Sequence, residues 1–200
     1  MAASIKSVEA NALTVIRGGR VLFRDLSFRV EAGKALCVEG ANGVGKTSLL
    51  RMLGGFLDPA SGTIRIGDAE DAEERGKLVG WLGHHDAVKA QMSVRETLSF
   101  FARLYRGDGD VEAAMDAVGL TRLADLPGQY LSAGQKKRVA LARLKLCGRP
   151  LWLMDEPLAS LDAAGKTIAA DLITAYCARG GIAVVATHEL LGIACERLVL

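Results

Sequence analysis

Gly40-Ala41-Asn42-Gly43-Val44-Gly45-Lys46-Thr47 decides the reading of this chain. It matches the pattern Gly-x-x-x-x-Gly-Lys-Ser/Thr. The short apolar run Ala35–Glu39 before it reads as a strand, and Lys46–Gly54 after it reads as a helix stopped by Gly54-Gly55. With this composition, roughly 0.01 accidental matches are expected per chain. The chemistry is that of a phosphate cradle. Glycines let the backbone close around phosphate oxygens with N–H groups turned inward. The helix that starts at Lys46 adds partial positive charge at its N-terminus. Lys46 can reach the β- and γ-phosphates, and the Thr47 hydroxyl can ligate Mg²⁺. Gly40, Ala41, Asn42, Gly43, Val44, Gly45, Lys46, Thr47 and Ser48 are the expected nucleotide contacts.

The flanking sequence supplies a frame for that loop. Residues Ile5–Val30 alternate and read as two or three strands around the turn Arg17-Gly18-Gly19-Arg20. Gly62–Ile66 and Leu78–Leu82 are strand-like. Val94, Leu98, Phe101 and Leu104 then recur at helical spacing, as do Val111, Ala114, Met115 and Val118. A third helix is expected from about Ser132 to Cys147. Pro150 marks a return to strands, with Leu151–Met154 and Ile182–Ala186 on either side of a helix over Asp162–Arg179. Short apolar runs of this kind suit parallel strands covered on both faces. The expected fold is one α/β domain over 1–200. Its core takes in 1–85 and 148–200, with antiparallel N-terminal strands, and a helical subdomain is inserted at 86–147.

Two further stretches carry chemistry. Leu151-Trp152-Leu153-Met154-Asp155-Glu156-Pro157 is an apolar strand ending in two carboxylates. Ligands bind at the carboxyl edge of parallel sheets. Asp155 there would hold Mg²⁺ through water, and Glu156 would act as general base toward the attacking water. Alternation along a strand is expected to send the two acids to different sides. Leu131-Ser132-Ala133-Gly134-Gln135 opens a helix. Ser132 is a natural N-cap, and a Ser-Gly helix start is also an anion site. It lies 86 residues beyond Lys46, so it must act on a different surface.

Leu131–Gln135 resembles the Leu-Ser-Gly-Gly-Gln signature of ATP-binding-cassette ATPases, with Ala133 in place of the first glycine. The resemblance implies a P-loop ATPase in which Ser132, Ala133, Gly134 and Gln135 close over the ATP held by a second copy. A homodimer in the ATP-bound state is therefore implied. Ala159-Ser160-Leu161-Asp162 resembles the family's D-loop, and Thr187-His188 its switch histidine. His188 would contact the γ-phosphate beside Glu156, and Lys46 completes the catalytic set. Two positions depart from the family pattern. Arg17 stands where an aromatic normally stacks on adenine, and a guanidinium can stack there too. His84-His85 stands where a Gln normally faces Mg²⁺. A neutral His84 can accept from a metal-bound water; the alternatives are a plain polar loop or a haem or metal ligand. Lys136-Lys137-Arg138 reads as a solvated helix face. Gly134→Asp is expected to block the sandwich while leaving the fold and monomer ATP binding intact.

Gly83-His84-His85-Asp86-Ala87-Val88-Lys89, Leu126-Pro127-Gly128-Gln129-Tyr130 and Pro150–Pro157 narrow the resemblance to the ATP-binding subunits of cytochrome c maturation (haem exporter) systems. The likeness covers nearly the whole chain. It implies ATP and Mg²⁺ as cofactors and a membrane-spanning permease as partner. It also implies a peripheral place on the cytoplasmic face of the bacterial inner membrane. The work done is either haem export or release of a haem-loaded chaperone. Another small-molecule exporter remains an alternative.

Composition bounds the remaining options. Of 200 residues, 50% are apolar and 24% charged, with a net charge of +2. Such a chain is neither disordered nor suited to nucleic acid by bulk charge. No nucleic-acid partner is expected. The stretch from Lys46 to Ser132, a separation of 86, holds no heptads, which argues against a DNA-repair type of cassette. Leu126–Gln135, ten residues, is the longest stretch free of Asp, Glu, Lys and Arg, and a membrane span needs about 20 apolar residues. Lys6 and Glu9 interrupt any signal-peptide core. Cys37, Cys147, Cys177 and Cys195 show no Cys-x-x-Cys spacing and read as free thiols.

Overall fold

The structure is a computed structural model that describes residues 4–83, 86–105 and 109–200. Two N-terminal strands, β1 (Ser7–Arg17) and β2 (Arg20–Glu31), form a long antiparallel hairpin. Gly18 and Gly19 take φ +56 and +75 at its tip, the two positive values that a type I′ turn needs. With β4 (Ser61–Ile66) they make a three-stranded sheet in the order β2-β1-β4. β3 (Ala35–Glu39), β5 (Val79–Leu82), β6 (Leu151–Asp155), β7 (Ile182–Ala186) and β8 (Glu196–Val199) make a parallel sheet in the order β5-β6-β7-β3-β8. The antiparallel and parallel strands thus occupy two sheets.

The period-2 alternation of the parallel strands divides the interior in two. Leu36 and Val38 of β3, Leu151 and Leu153 of β6, and Ile182 and Val184 of β7 face one core. That core also holds the hairpin and helix α1 (Lys46–Leu53), whose Leu49, Leu50, Met52 and Leu53 are fully buried. Cys37, Trp152, Met154, Ala183 and Val185 face the other core. It is covered by α3 (Val94–Tyr105), α4 (Val111–Ala117), α5 (Ala133–Leu146) and α6 (Ala163–Ala178). Tyr176 of α6 stacks on Trp152 at 3.7 Å between centroids, and its hydroxyl donates to Arg149 O at 2.8 Å, which pins α6 to β6. Burial on both faces explains why these strands read as unbroken apolar runs. Truncating a fully buried leucine such as Leu153 to Ala costs about 2–5 kcal/mol.

Three features differ from the expectations above. A short helix, α2 (Ala72–Lys77), stands between β4 and β5, capped by Asp71. Its sequence Ala-Glu-Glu-Arg-Gly-Lys has no apolar stripe to announce it. Cys37 and Cys195 are not free thiols but a bonded pair, joining β3 to the segment entering β8 across 158 residues of sequence. Cys147 and Cys177 are free and buried. Nor is Lys136-Lys137-Arg138 a solvated face: Lys137 is buried against Asp86, and Arg138 pairs with Asp162.

Candidate nucleotide site

The site follows from strand register. In the parallel sheet Val38 of β3 pairs with Ala186 of β7, and Ala186 pairs with Asp155 of β6. Three neighbouring strands therefore end at one level, with adjacent strands about 4.8 Å apart. One or two residues past that level lie Gly40, His188 and Glu156. The glycine loop, the histidine and the second acid are gathered at the carboxyl edge by topology alone.

Gly40, Gly43 and Gly45 take φ +146, +81 and +121, which L-side chains rarely adopt. Gly45 is the N-cap of α1 and supplies no side-chain cap, so the first N–H groups of that helix are left to the loop. Lys46 is buried, and its ammonium donates to Gly40 O at 2.8 Å and Ala41 O at 3.2 Å. Thr47 Oγ1 donates to Asp155 Oδ2 at 2.8 Å across 108 residues of sequence. A hydroxyl and a carboxylate converging in this way are the hard oxygen ligands that Mg²⁺ takes. Among the described residues no three His, Cys, Asp or Glu side chains gather as a metal cluster. A Mg²⁺ here would complete its shell with phosphate oxygens and water.

Asp155 is the last residue of β6, whereas Glu156 has left the strand with φ +50 and its N–H donates to Ala186 O at 2.8 Å. The two acids take different partners, Thr47 for Asp155 and His188 for Glu156. A left-handed non-glycine residue at this point is strain held by its surroundings. Glu156 Oε2 lies 3.0 Å from His188 Nδ1, with the carboxylate 16% exposed and the imidazole 62% exposed. Leu22, Asn42, Gly43, Gly45, Lys46, Thr47, Ser48, Asp155, Glu156 and His188 line one cleft of about 480 Å³.

Not every expected residue is brought together there. Arg17 pairs with Arg20 at the hairpin tip and does not line the cleft, whereas Leu22 on the next strand does. Leu22 and Phe23 pack against Gly45, whose added Cβ would meet Phe23 at 3.0 Å. No motif marks Leu22 in the sequence, and only its place in the alternating hairpin could have nominated it. His84 and His85 lie outside the described residues. Ser132, Ala133, Gly134 and Gln135 do not line the cleft either; they form the start of α5, with Ser132 and Ala133 exposed. There Ser132 Oγ accepts from Gln135 N at 3.2 Å and Gln135 Oε1 accepts from Ser132 N at 2.8 Å. Asp162 caps α6 through Gly165 N at 2.8 Å and receives Arg138 Nη2 at 2.9 Å. Those donors, Gly165 first and Arg138 next, hold its carboxyl below its ordinary pKa. A Cβ on Gly134 would stand 2.7 Å from Ser160 O. Gly134→Asp therefore presses its new Cβ into the Ser160 carbonyl, contrary to the expectation that it spares the fold.

The family model described as ABC transporter matches residues 23–159. The cytochrome c biogenesis ATP-binding export protein CcmA of Rhodopseudomonas palustris is 43% identical over 192 residues, covering 96% of each chain. The protein of that name from Paramagnetospirillum magneticum is 46% identical over 193 residues, covering 92% of this chain and 89% of its own. Among solved structures, one described as an ABC transporter ATP-binding protein of Pyrococcus furiosus superposes with a TM-score of 0.86. It covers 97% of both chains at 23% identity, a likeness of fold.

Proposed function

The chain belongs to the ABC transporter family, as an ATP-binding subunit, and from that premise we propose that it hydrolyses ATP to drive a cytochrome c biogenesis export complex. The observation that carries the proposal is the contact between His188 Nδ1 and Glu156 Oε2 at 3.0 Å, in the cleft that also holds Lys46 and Thr47. Gly40 to Ser48 cradle the phosphates, and Lys46 neutralises the β- and γ-oxygens. Thr47, and Asp155 through water, would hold Mg²⁺, which would supply positive charge toward the phosphates. Glu156 accepts a proton from the attacking water as its oxygen bonds to the γ-phosphorus and the bond to the ADP oxygen breaks. His188 orients that carboxylate and contacts the γ-phosphate.

Ser132, Ala133, Gly134 and Gln135 meet the ATP of a second copy in this reading. Their position outside the cleft, on an exposed helix start, supports a two-copy site. Asp162 joins the same interface through the loop behind it. Arg17 and Leu22 receive the adenine at the hairpin tip. Residues 86–147 act as a helical subdomain that carries motion to a separate permease. Among the described residues no helix is long and apolar enough to cross a membrane. The protein sits on the cytoplasmic face of the inner membrane. The cytochrome c assignment rests on identities of 43–46% over more than nine-tenths of the chain.

The test is co-purification of a tagged Glu156→Gln form from detergent-solubilised host membranes with ATP and Mg²⁺. The expected result is a cytochrome c biogenesis membrane subunit in the eluate. Recovery of an unrelated permease would keep the ATPase and overturn the cytochrome c assignment.

A further inference from the structure

Helix α5 carries a buried cation that the nucleotide cleft does not use. Lys137 lies five residues past Ser132, its side chain is only 6% exposed, and its ammonium stands 2.9 Å from Asp86. Asp86 belongs to the connection that leaves the carboxyl end of β5 and reaches α3. That connection also touches the chain just ahead of α5. Gly128 N donates to Met92 O at 2.9 Å and Gln129 N to Ala90 O at 3.0 Å. The approach is close enough that a Cβ on Gly128 would stand 2.6 Å from Lys89 O. One turn and a half beyond Lys137, Arg143 Nη2 donates to Trp81 O at 3.1 Å and its guanidinium lies over the Phe101 ring. Ser132-Ala133-Gly134-Gln135 is therefore flanked on both sides by contacts to one segment, with backbone bonds before it and an ion pair after it.

Stability alone is a poor reason for such a pair. Burying an ammonium and a carboxylate costs desolvation that their attraction only offsets, and apolar residues of similar size often serve as well. The best-attested use of a buried pair is to fix one register. We propose that Lys137 and Asp86 are positioning residues. They lock the start of α5 to the segment leaving β5, so that Ser132 to Gln135 face a second copy's ATP in one register. The proposal rests on the two-copy reading above. The salt link also ties that register to the sheet edge where the phosphates are held, because β5 pairs directly with β6, the strand of Asp155.

The test compares Lys137→Met, Asp86→Asn, their double variant and Lys137→Arg in the full chain. Thermal stability, affinity of the monomer for a fluorescent ATP analogue, KM and kcat are read for each. Each neutralising single variant leaves one buried charge unpaired and melts earlier. The double variant leaves none and regains the wild-type melting temperature. Its kcat stays down by about tenfold, with monomer nucleotide affinity unchanged, because the register is no longer held. Lys137→Arg keeps the charge and recovers part of kcat. A double variant with restored stability and kcat within about twofold of wild type overturns the proposal and makes the pair merely structural. Should the single variants fail to fold, the double variant decides alone. A wild-type rate per chain that stays constant down to concentrations at which light scattering shows only monomer overturns the two-copy reading and the proposal with it, and that outcome is seen before any variant is made.

Discussion

Two helices begin where an anion could be bound, and they are finished differently. α1 starts at Gly45, which offers no side chain, and its N-terminal N–H groups look into a glycine loop. α5 starts at Ser132 with a complete capping box, two side chains and two N–H groups satisfying one another. The same orphan donors exist at both ends. At α1 they are left for a ligand bound by the same chain, and the buried Lys46 stands among them. At α5 they are half satisfied internally, so the helix start can stand exposed without a ligand. Ser132 Oγ accepts in the box, which leaves its hydroxyl proton free to donate to a phosphate. On the two-copy proposal the contrast is between one anion-binding device built as an open cradle and the same device built as a finished surface to which another molecule brings its phosphate.

The largest effect expected of any variant lies at the cradle. Glu156→Gln should lower phosphate release by about 10²–10⁴-fold while leaving nucleotide binding intact. An unaffected rate would remove Glu156 from the base role and dissolve the distinction between cleft and surface. Lys46→Ala comes next. It should weaken monomer binding of a fluorescent ATP analogue by about tenfold or more, equivalent to about 1.5–3 kcal/mol of charged hydrogen bonding. Ala133→Asp sharpens the other side. Ala133 is exposed in the first turn of α5, where an acid suits the helix dipole, so the fold and monomer binding should be unchanged. On the two-copy proposal the added charge would face the second copy's phosphates, and ATP-dependent dimerisation by light scattering should be lost.

Smaller effects test the cap itself. Ser132→Ala should cost about 1 kcal/mol of stability, a fall of roughly 2–4 °C in melting temperature for a chain of this size. Asp162 gives the weakest signal. Its carboxyl is held below its ordinary pKa, by Gly165 N–H first and Arg138 next, so its contribution is present above the unfolded pKa. It is lost as pH falls through the folded value. Melting temperature followed below about pH 4 should therefore decline less steeply in Asp162→Asn than in wild type.

Much of this was legible before any coordinates. β3 over Ala35–Glu39 and β7 over Ile182–Ala186 are bounded as their sequences indicate, because burial on both faces makes every residue but Glu39 apolar. Asp155 and Glu156 could be placed at a strand end because they follow the run Leu151–Met154 directly, and His188 because it stands two residues past Ala186. What the sequence hid depends on tertiary neighbours. Lys137 looks like any helix-surface lysine until Asp86 is folded against it. Cys37 and Cys195 stand 158 residues apart, and only the pairing of β3 with β8 brings them together. α2 is six residues with no apolar stripe, so although Ala, Glu, Arg and Lys favour a helix, periodicity does not mark it. The clash awaiting a side chain at Gly134 comes from Ser160 O on a distant loop with φ +67, which no local pattern records.

The central claim is that cradle and finished surface serve one ATP from two copies. Mixing tests it most directly. Lys46→Ala supplies an intact α5 start without a working cradle, and Ala133→Asp supplies an intact cradle without a usable α5 start. Each alone should be nearly inactive in phosphate release. Mixed, they should regain activity, since a hybrid dimer holds one complete site. No recovery on mixing, with both variants folded and Ala133→Asp still binding nucleotide, would contradict the account.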